Sequence, residues 1–180
     1  MSKYCIIGTG RQGTAALYDI IKYAKAEQIL LLDSKQESID CCLKKINNVI
    51  EFDIPIVSHV IDIANNSNLI NLLDSYDIML SAVPYFHNLQ LTKIAIESKT
   101  SLVDLGGHTE NVILQLKYHE EAKKAGISIV PDCGMGPGMN ITMALLAMEQ
   151  LDEPKDVYIW DGGLPKNPKP PWNYSLYFNI

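Results

Sequence analysis

Short apolar runs alternate along the chain with longer segments in which apolar residues recur every three or four positions. The apolar runs predict strands at 3–7, 28–33, 56–60, 77–83, 101–105 and 127–130. The longer segments predict helices at 13–25, 36–50, 66–73, 86–98, 110–124 and 138–151. Alternating strands and helices are typical of βαβ units around a parallel sheet. The sequence therefore predicts an α/β fold with a doubly wound parallel sheet.

The later part of the chain indicates where a helix and a domain end. Gly126 follows the fifth predicted helix, where glycine suits a left-handed cap, and Pro137 is placed to open the sixth helix. After about residue 152 the composition changes to one strand-like run, a Gly-Gly turn and four prolines before an aromatic tail. A long ending without structure is uncommon in a self-contained fold. We expect a dinucleotide-binding domain at 1–151 and, at 152–180, the start of a substrate domain whose remainder is missing.

Composition and charge narrow the class of partner. With 47% hydrophobic and 20% charged residues, the chain is typical of a soluble globular protein rather than a disordered one. The formal net charge is −6, and the Lys and Arg residues are scattered among the acids and form no basic stripe. Nucleic acid is therefore not an expected partner. No stretch approaches the roughly 20 apolar residues of a membrane span, so we expect a cytoplasmic protein without membrane contact.

The four cysteines follow no metal-site pattern. Cys5, Cys41, Cys42 and Cys133 form no CxxC pair, and none has a partnered histidine at a spacing that zinc sites use. We expect free thiols and no bound metal. Cys5 lies within an apolar strand, where a buried, packed side chain is the simplest interpretation.

Three glycines stand between the first predicted strand and the first predicted helix. Gly8, Gly10 and Gly13 have the GxGxxG spacing of a dinucleotide-binding loop, with Arg11 and Gln12 inside it. Gly8 would allow the tight turn, Gly10 the close approach of a diphosphate, and Gly13 the packing of helix on strand. The positive end of the helix would then hold the diphosphate. This pattern predicts a Rossmann-type sheet with a cofactor at its edge.

An acidic residue ends the second predicted strand. Asp33 lies 20 residues beyond Gly13, where a carboxylate can accept hydrogen bonds from the adenosine ribose hydroxyls. The alternative is an acid at a strand end that meets only solvent. Because a carboxylate would repel a 2′-phosphate, Asp33 favours NAD, with NADP less expected. Lys35 and Arg11 are nearby cations that would weaken this preference.

Two further strand ends face the same crevice, because ligands of open α/β sheets bind outside the carboxyl edge. Asp62 follows the third strand, where it could contact the adenine edge or, equally well, cap a turn or helix. Ser81, Ala82, Val83 and Pro84 end the fourth strand, where the chain should pass the nicotinamide half of the cofactor. Small residues and a rigid turn suit that position.

Five longer segments give the chain a recognisable signature. In order they are GTGRQG, SAVPYFHNLQLTKIAIES, LVDLGGHT, IVPDCGMGPGMN and DGGLPKNPKPPWNY. Over essentially the whole chain the sequence resembles the saccharopine dehydrogenase family, and the lysine 6-dehydrogenase-like branch is the nearest match. The resemblance implies an amino-terminal Rossmann domain, a following α/β substrate domain and a carboxy-terminal piece that returns to the first domain.

The resemblance also implies a reaction: reversible hydride transfer between a nicotinamide and the carbon that bears an amine. In the lysine-specific branch this oxidises the side-chain amine of lysine to an imine, which water converts to ammonia and a semialdehyde. In saccharopine-type enzymes the imine instead joins glutamate to aminoadipate semialdehyde. A third alternative is a shortened chain that binds nucleotide without catalysis. The implied partner is a small amino-acid substrate.

Amine oxidation requires an uncharged nitrogen, so a proton acceptor must stand near the substrate. The candidates for the catalytic groups are Asp104, His108, Tyr85, His87 and Asp132. Asp104 precedes a Gly-Gly turn that its carboxylate could equally well cap. His108 follows that turn and could be a base, a substrate contact or an exposed residue at a helix start. Tyr85 and His87 could instead face solvent.

The sixth strand ends in a loop that favours binding rather than covalent chemistry. Asp132 and Cys133 precede a helix amino terminus, which could hold an anion such as a substrate carboxylate. No pairing of cysteine with histidine is indicated, so we expect no nucleophilic role for Cys133.

The aromatic tail has two open interpretations. Trp172, Asn173 and Tyr174 could touch substrate, or they could belong to a proline-stiffened linker. Apolar side chains here, including Tyr177, lead us to expect exposed surface and self-association. A homodimer is implied by relatives that dimerise through the second domain.

Overall fold

The computed structural model describes residues 1–64, 66–162 and 165–171, and six strands form one sheet within them. The strands are β1 (Ser2–Ile7), β2 (Ala26–Asp33), β3 (Ile56–Val60), β4 (Ile78–Ser81), β5 (Ser101–Asp104) and β6 (Ile129–Val130). The helices are α1 (Arg11–Tyr23), α2 (Gln36–Asn47), α3 (Asn66–Leu73), α4 (Asn88–Ser98), α5 (Thr109–Leu116), α6 (His119–Ala125) and α7 (Met139–Met148). A 3₁₀ turn at Tyr85–His87 leads into α4.

The strand order is β3-β2-β1-β4-β5-β6, and every pairing is parallel. Cys5 of β1 lies opposite Leu30 of β2 on one side and Met79 of β4 on the other. The order therefore reverses direction at β1, which is the switch point of a doubly wound fold. After β1 and β4 the chain turns to opposite faces of the sheet, because α1 packs on one face and α4 on the other. A crevice at the switch point follows from this arrangement, as the predicted Rossmann-type α/β fold requires.

Both faces of the sheet are buried, which explains the uninterrupted apolar runs in the strands. On one face Cys5, Ile7 and Leu32 pack with Leu69 of α3 and Leu91 of α4. On the other face the core consists of Ile6, Leu17, Ile21, Ala26, Ile29, Leu31, Cys42 and Ile46. Each fully buried leucine or isoleucine contributes about 2–3 kcal/mol of transfer free energy. Cys5 is 1% exposed, so the prediction of a packed thiol is confirmed.

Several predicted boundaries differ from the structure by a few residues, and three differences have a local physical cause. The helix expected at 110–124 is two helices, because i to i−3 bonds from Lys117 and Tyr118 tighten the end of α5. The helix expected from residue 86 begins with the 3₁₀ turn. Pro137 does not open α7, since Gly138 has a φ of +126° and stands outside the helix. Gly126, with a φ of +75°, caps α6 as predicted.

The chain after α7 contains no helix or strand within residues 149–162 and 165–171. The strand-like run at 156–160 forms no strand and pairs with none among the described residues. The predicted contacts at Trp172, Asn173, Tyr174 and Tyr177 lie outside the described residues. No helix in the described part of the chain is long and apolar enough to cross a bilayer.

Helix α7 is apolar on all sides and has no buried residue. Its exposed apolar side chains are Met139, Ile141, Met143, Leu145 and Leu146, each about half to two-thirds accessible. Trp160 beside it is 91% exposed. A helix that is apolar all round is normally buried, so this surface is unfavourable in water.

We expect the chain to self-associate through α7, and charges placed there to prevent it. In the double variant Met143→Glu with Leu146→Glu, sedimentation velocity should show a shift to monomer. The free energy of unfolding should change by no more than about 0.5 kcal/mol, because both side chains are exposed. Val49→Glu, at a 69% exposed apolar residue after α2, is the matched control. A wild-type chain that is monomeric at all concentrations would contradict this expectation.

Candidate cofactor site

The glycine loop makes a tight turn between β1 and α1. The Gly8 N–H donates to the Leu32 carbonyl at 2.8 Å, and Gly8 has a φ of +93°. A Cβ at Gly8 would stand 2.7 Å from the Ala82 carbonyl oxygen, so a side chain is excluded by the backbone of the β4 end. The structure thus agrees with the turn predicted for this glycine.

Gly10 and Gly13 differ in what surrounds them. No atom lies within 4 Å of the position that a Cβ at Gly10 would occupy, and this exposed residue immediately precedes α1. A Cβ at Gly13 would collide with the Gly8 carbonyl oxygen, so α1 rests directly on the loop. Arg11 and Gln12 are exposed.

The amino terminus of α1 is left open to solvent. It has no side-chain cap, and no acidic residue stands in its first turn. The first amides of a helix lack partners within it and carry a partial positive charge. Together with the space at Gly10, this end of α1 can hold an anion such as a diphosphate.

Asp33 is fixed to the glycine loop by its carboxylate. Oδ2 accepts from the Thr9 N–H and the Thr9 hydroxyl, both at 2.8 Å, and Oδ1 accepts from the Lys35 N–H at 3.0 Å. Partial burial raises the pKa of Asp33, but the bonds from Thr9, Lys35 and Ser34 outweigh it and hold the pKa below its usual range. The carboxylate is therefore ionised and half-buried beside the loop, with lone pairs left for a sugar hydroxyl.

The Asp62 side chain caps the turn that follows β3. Its Oδ1 accepts from the Ala64 N–H at 2.9 Å, and the residue is exposed. The structure therefore supports the turn-capping alternative for Asp62. The adenine contact stays a prediction.

The end of β4 lies directly against the glycine loop. The Ala82 N–H donates to the Ile7 carbonyl at 2.8 Å, and the half-buried Val83 and Pro84 follow. Ser81, however, is 1% exposed and donates its hydroxyl to Asn88 Oδ1 at 2.7 Å. Ser81 therefore holds the start of α4, and its hydroxyl does not face the crevice.

Asp104 is fully buried, at 0% exposure. Its Oδ1 accepts from the N–H groups of Gly106 and Asp132, at 2.8 and 3.1 Å. Its Oδ2 accepts from Gln115 Nε2 at 2.7 Å. These contacts support the turn-capping alternative, because a carboxylate with this environment is not open to a substrate proton.

Tyr85 and His108 come together although 23 positions separate them in the sequence. Their rings stack with centroids 5.0 Å apart and planes at 9°. His108 is exposed, whereas Tyr85 is half-buried over Gly107. Of the catalytic candidates, this pair presents an accessible imidazole at the carboxyl end of β5.

His87 and Cys133 are two further side chains near these strand ends, and both are uncharged. Partial burial lowers the pKa of His87, and the negative charge of Asp62 opposes this only in part, so the imidazole is neutral at pH 7. Burial raises the pKa of the Cys133 thiol, and Asp104 and Asp132 raise it further. A protonated thiol agrees with the expectation that Cys133 is not a nucleophile.

Sequence reasoning missed four polar side chains that hold these loops. They are Thr9, Asn88, Asn111 and Gln115. For the three residues on α4 and α5, the signal in the sequence was a polar residue at a helix position that faces the sheet. No group of three His, Cys, Asp or Glu side chains among the described residues could hold a metal ion.

The strand order and the glycine loop define a Rossmann-type domain of the kind that binds dinucleotides. A family model described as "Saccharopine dehydrogenase NADP binding domain" matches residues 4–130, more than half of the 180-residue chain. The chain belongs to the saccharopine dehydrogenase family through this domain. The resemblance inferred from the sequence motifs is thereby confirmed.

Curated relatives match the chain over part of their length. Alpha-aminoadipic semialdehyde synthase of Arabidopsis thaliana is 28% identical over 109 residues, which cover 58% of this chain and 10% of that protein. Saccharopine dehydrogenase (NADP(+), L-glutamate-forming) of Saccharomyces cerevisiae is 27% identical over 109 residues, which cover 58% of this chain and 24% of that protein. The matched segments therefore span a quarter or less of these relatives.

The fold has a solved counterpart. The apo saccharopine dehydrogenase (L-Glu forming) of Saccharomyces cerevisiae superposes with a TM-score of 0.65 and 19% identity, over 83% of this chain and 31% of that chain. At this identity the likeness shows the fold alone. The family description supports a nicotinamide cofactor but favours NADP, which corrects the preference for NAD expected from Asp33.

The contrast between Gly10 and Gly13 predicts two different defects. Gly10→Ala should leave the free energy of unfolding within about 1 kcal/mol of wild type, because the added methyl meets no atom. It should nevertheless weaken binding of NADH and NADPH at least about tenfold by blocking the diphosphate. Gly13→Ala should lower the free energy of unfolding by about 1–3 kcal/mol, because its methyl collides with Gly8. Urea unfolding and cofactor fluorescence titration measure these effects; wild-type affinity in Gly10→Ala would contradict the site.

The negative charge of Asp33 leads us to expect that its removal changes the preference between NADH and NADPH. Asp33→Asn removes the negative charge beside the ribose, so affinity for NADPH relative to NADH should rise about tenfold. Parallel fluorescence titrations give this ratio. Asp62→Asn, at the exposed acid of the next strand end, should leave the ratio unchanged. An unchanged ratio in Asp33→Asn would show that Asp33 does not face the ribose.

Proposed function

We propose that this chain supplies the nicotinamide dinucleotide site of an oxidoreductase that acts on the CH–NH group of an amino acid. The observation that carries the proposal is the glycine loop, where Gly10 leaves free space before an uncapped helix and Asp33 is fixed alongside. Membership of the saccharopine dehydrogenase family supports the reaction class.

The fold orients the cofactor within this proposal. The carboxyl ends of β1 and β2, with Asp33, would hold the adenosine half, and the segments after β4 and β5 would hold the nicotinamide half. Gly10 leaves the space for the diphosphate beside the amides of Arg11 and Gln12, while Gly8 and Gly13 shape the loop. Arg11 and Lys35 are exposed cations near the ribose end. They support NADP, which the family description names, although Asp33 opposes a 2′-phosphate.

The bound cofactor supplies the hydride acceptor, and the chain must orient the amine and remove its proton. His108 is the accessible base in this proposal, because its imidazole is exposed at the end of β5. The stacked Tyr85 ring fixes the plane of that imidazole. The buried Asp104 carboxylate holds the loop after β5 through hydrogen bonds and does not itself accept the proton.

The proposed substrate is the side-chain amine of lysine, which hydride transfer oxidises to an imine that water then hydrolyses to ammonia and a semialdehyde. The alternative substrate pair is glutamate with aminoadipate semialdehyde, supported by the relative from Saccharomyces cerevisiae whose name includes L-glutamate-forming. A chain that binds nucleotide without turnover is a third candidate, supported by matches that span a quarter or less of the relatives.

A substrate panel separates these candidates. Absorbance of the reduced nicotinamide is followed with lysine, with saccharopine, and with glutamate plus aminoadipate semialdehyde, each with NAD and NADP. Turnover of lysine alone is the expected result, and turnover of saccharopine would select the alternative. Cofactor binding without any turnover would assign this chain to the nucleotide-binding candidate. No binding of either cofactor would overturn the proposal.

A further inference from the structure

Five polar side chains are buried in a continuous line between the carboxyl ends of β4 and β5. They are Ser81, Asn88, Thr92, Asp104 and Gln115, and none is more than 3% exposed. Beyond the bond from Ser81 to Asn88, Thr92 Oγ1 donates to the Asn88 carbonyl at 2.9 Å. Gln115 Nε2 then donates to Thr92 Oγ1 at 3.0 Å and to Asp104 Oδ2 at 2.7 Å. The line therefore connects α4 and α5 to the loop after β5.

Of these five side chains, Asp104 depends most on its hydrogen bonds, because burying a carboxylate costs free energy unless hydrogen bonds stabilise it. Among the described residues, Gln115 is the one side chain that donates to it; the other donors are the backbone N–H groups of Gly106 and Asp132. Asp132 Oδ1 in turn accepts from the Gly107 N–H at 3.3 Å. The carboxylate that Gln115 stabilises thus holds together the loops that follow β5 and β6.

The amide of Gln115 acts through its N–H groups. Its Oε1 is buried and has no hydrogen-bond partner among the described residues. Both hydrogen bonds of this amide are therefore made by Nε2, as a donor to Thr92 and to Asp104.

Asn111 lies one turn before Gln115, on the same face of α5. Its Nδ2 donates to the Tyr85 carbonyl at 3.0 Å. The two amides of α5 therefore reach different strand ends: Asn111 holds the segment after β4, and Gln115 holds the segment after β5. These two segments bring Tyr85 and His108 into their stack.

We propose that Asn111 and Gln115 are positioning residues, which hold the loops after β4 and β5 in register so that the nicotinamide half of the cofactor meets a preformed wall. The proposal rests on the proposed function, because β4 and β5 face the nicotinamide half only when the dinucleotide lies across the switch point. The adenosine half, over β1 and β2, is independent of both amides.

The test compares a complete cofactor with the same molecule lacking nicotinamide. Fluorescence titration or calorimetry gives the affinity for NADPH and for 2′-phospho-ADP-ribose, or for NADH and ADP-ribose if the wild type prefers NADH. In Gln115→Met, which keeps the chain length and removes the donors, the affinity for the complete cofactor should fall about tenfold or more. The affinity for the fragment should change by less than about twofold.

Thr100→Val is the matched control. Thr100 is also fully buried, and its hydroxyl donates to the Leu73 carbonyl at 3.2 Å, but it stands before β5 at the opposite edge of the sheet. This variant should lower the melting temperature and leave the ratio of the two affinities unchanged. The ratio thus separates positioning from a general loss of stability.

Asn111→Ala keeps the proposal falsifiable if Gln115→Met does not fold, because Asn111 is half-buried and alanine favours helix. It should shift the ratio in the same direction by a smaller factor. Equal losses for cofactor and fragment, or wild-type ratios in the variants, would overturn the positioning role while the proposed function stands. A wild-type chain that binds neither complete cofactor would instead overturn the proposed function.

Discussion

The close contact between α1 and the glycine loop is the constraint on which the site depends. Gly13 lets the helix rest on the Gly8 carbonyl, and Gly8 lets the turn lie against the Ala82 carbonyl at the end of β4. The glycine loop and the start of α1, adjacent in sequence, therefore meet the sequence-distant end of β4 with backbone against backbone. Because no side chain intervenes, the positive end of α1 stands at the mouth of the crevice with its first amides uncapped.

Two sets of polar contacts extend this arrangement in opposite directions. At the end of β2, Thr9 ties the Asp33 carboxylate to the glycine loop, so this carboxylate and the start of α1 are held next to each other. At the end of β5, Gln115 holds the buried Asp104 carboxylate, which also joins the loops after β5 and β6. In both cases a carboxylate accepts backbone N–H groups, which fixes loops more firmly than neutral acceptors would.

Much of the fold was predictable because apolar periodicity reports burial directly. All six strands and the order of helices followed from it, and Gly126 marked its cap correctly. The break near Lys117 was not predictable, since no glycine or proline marks it. Asp104 was a catalytic candidate by its place at a strand end, but its partner Gln115 lies on another element. The preference for NAD rested on the charge of Asp33, weakened by the nearby Lys35 and Arg11, and the family description opposes it.

The sequence by itself determined the doubly wound sheet, the glycine loop and the family, because these depend on local periodicity and on motifs a few residues long. Tertiary structure decided what each polar residue does. It placed Ser81 and Asp104 in the interior. It left His108 accessible to solvent and stacked the His108 imidazole on the Tyr85 ring. The physical reason is that a side chain's role depends on its burial and on partners tens of residues away, which only the packing of the elements brings together.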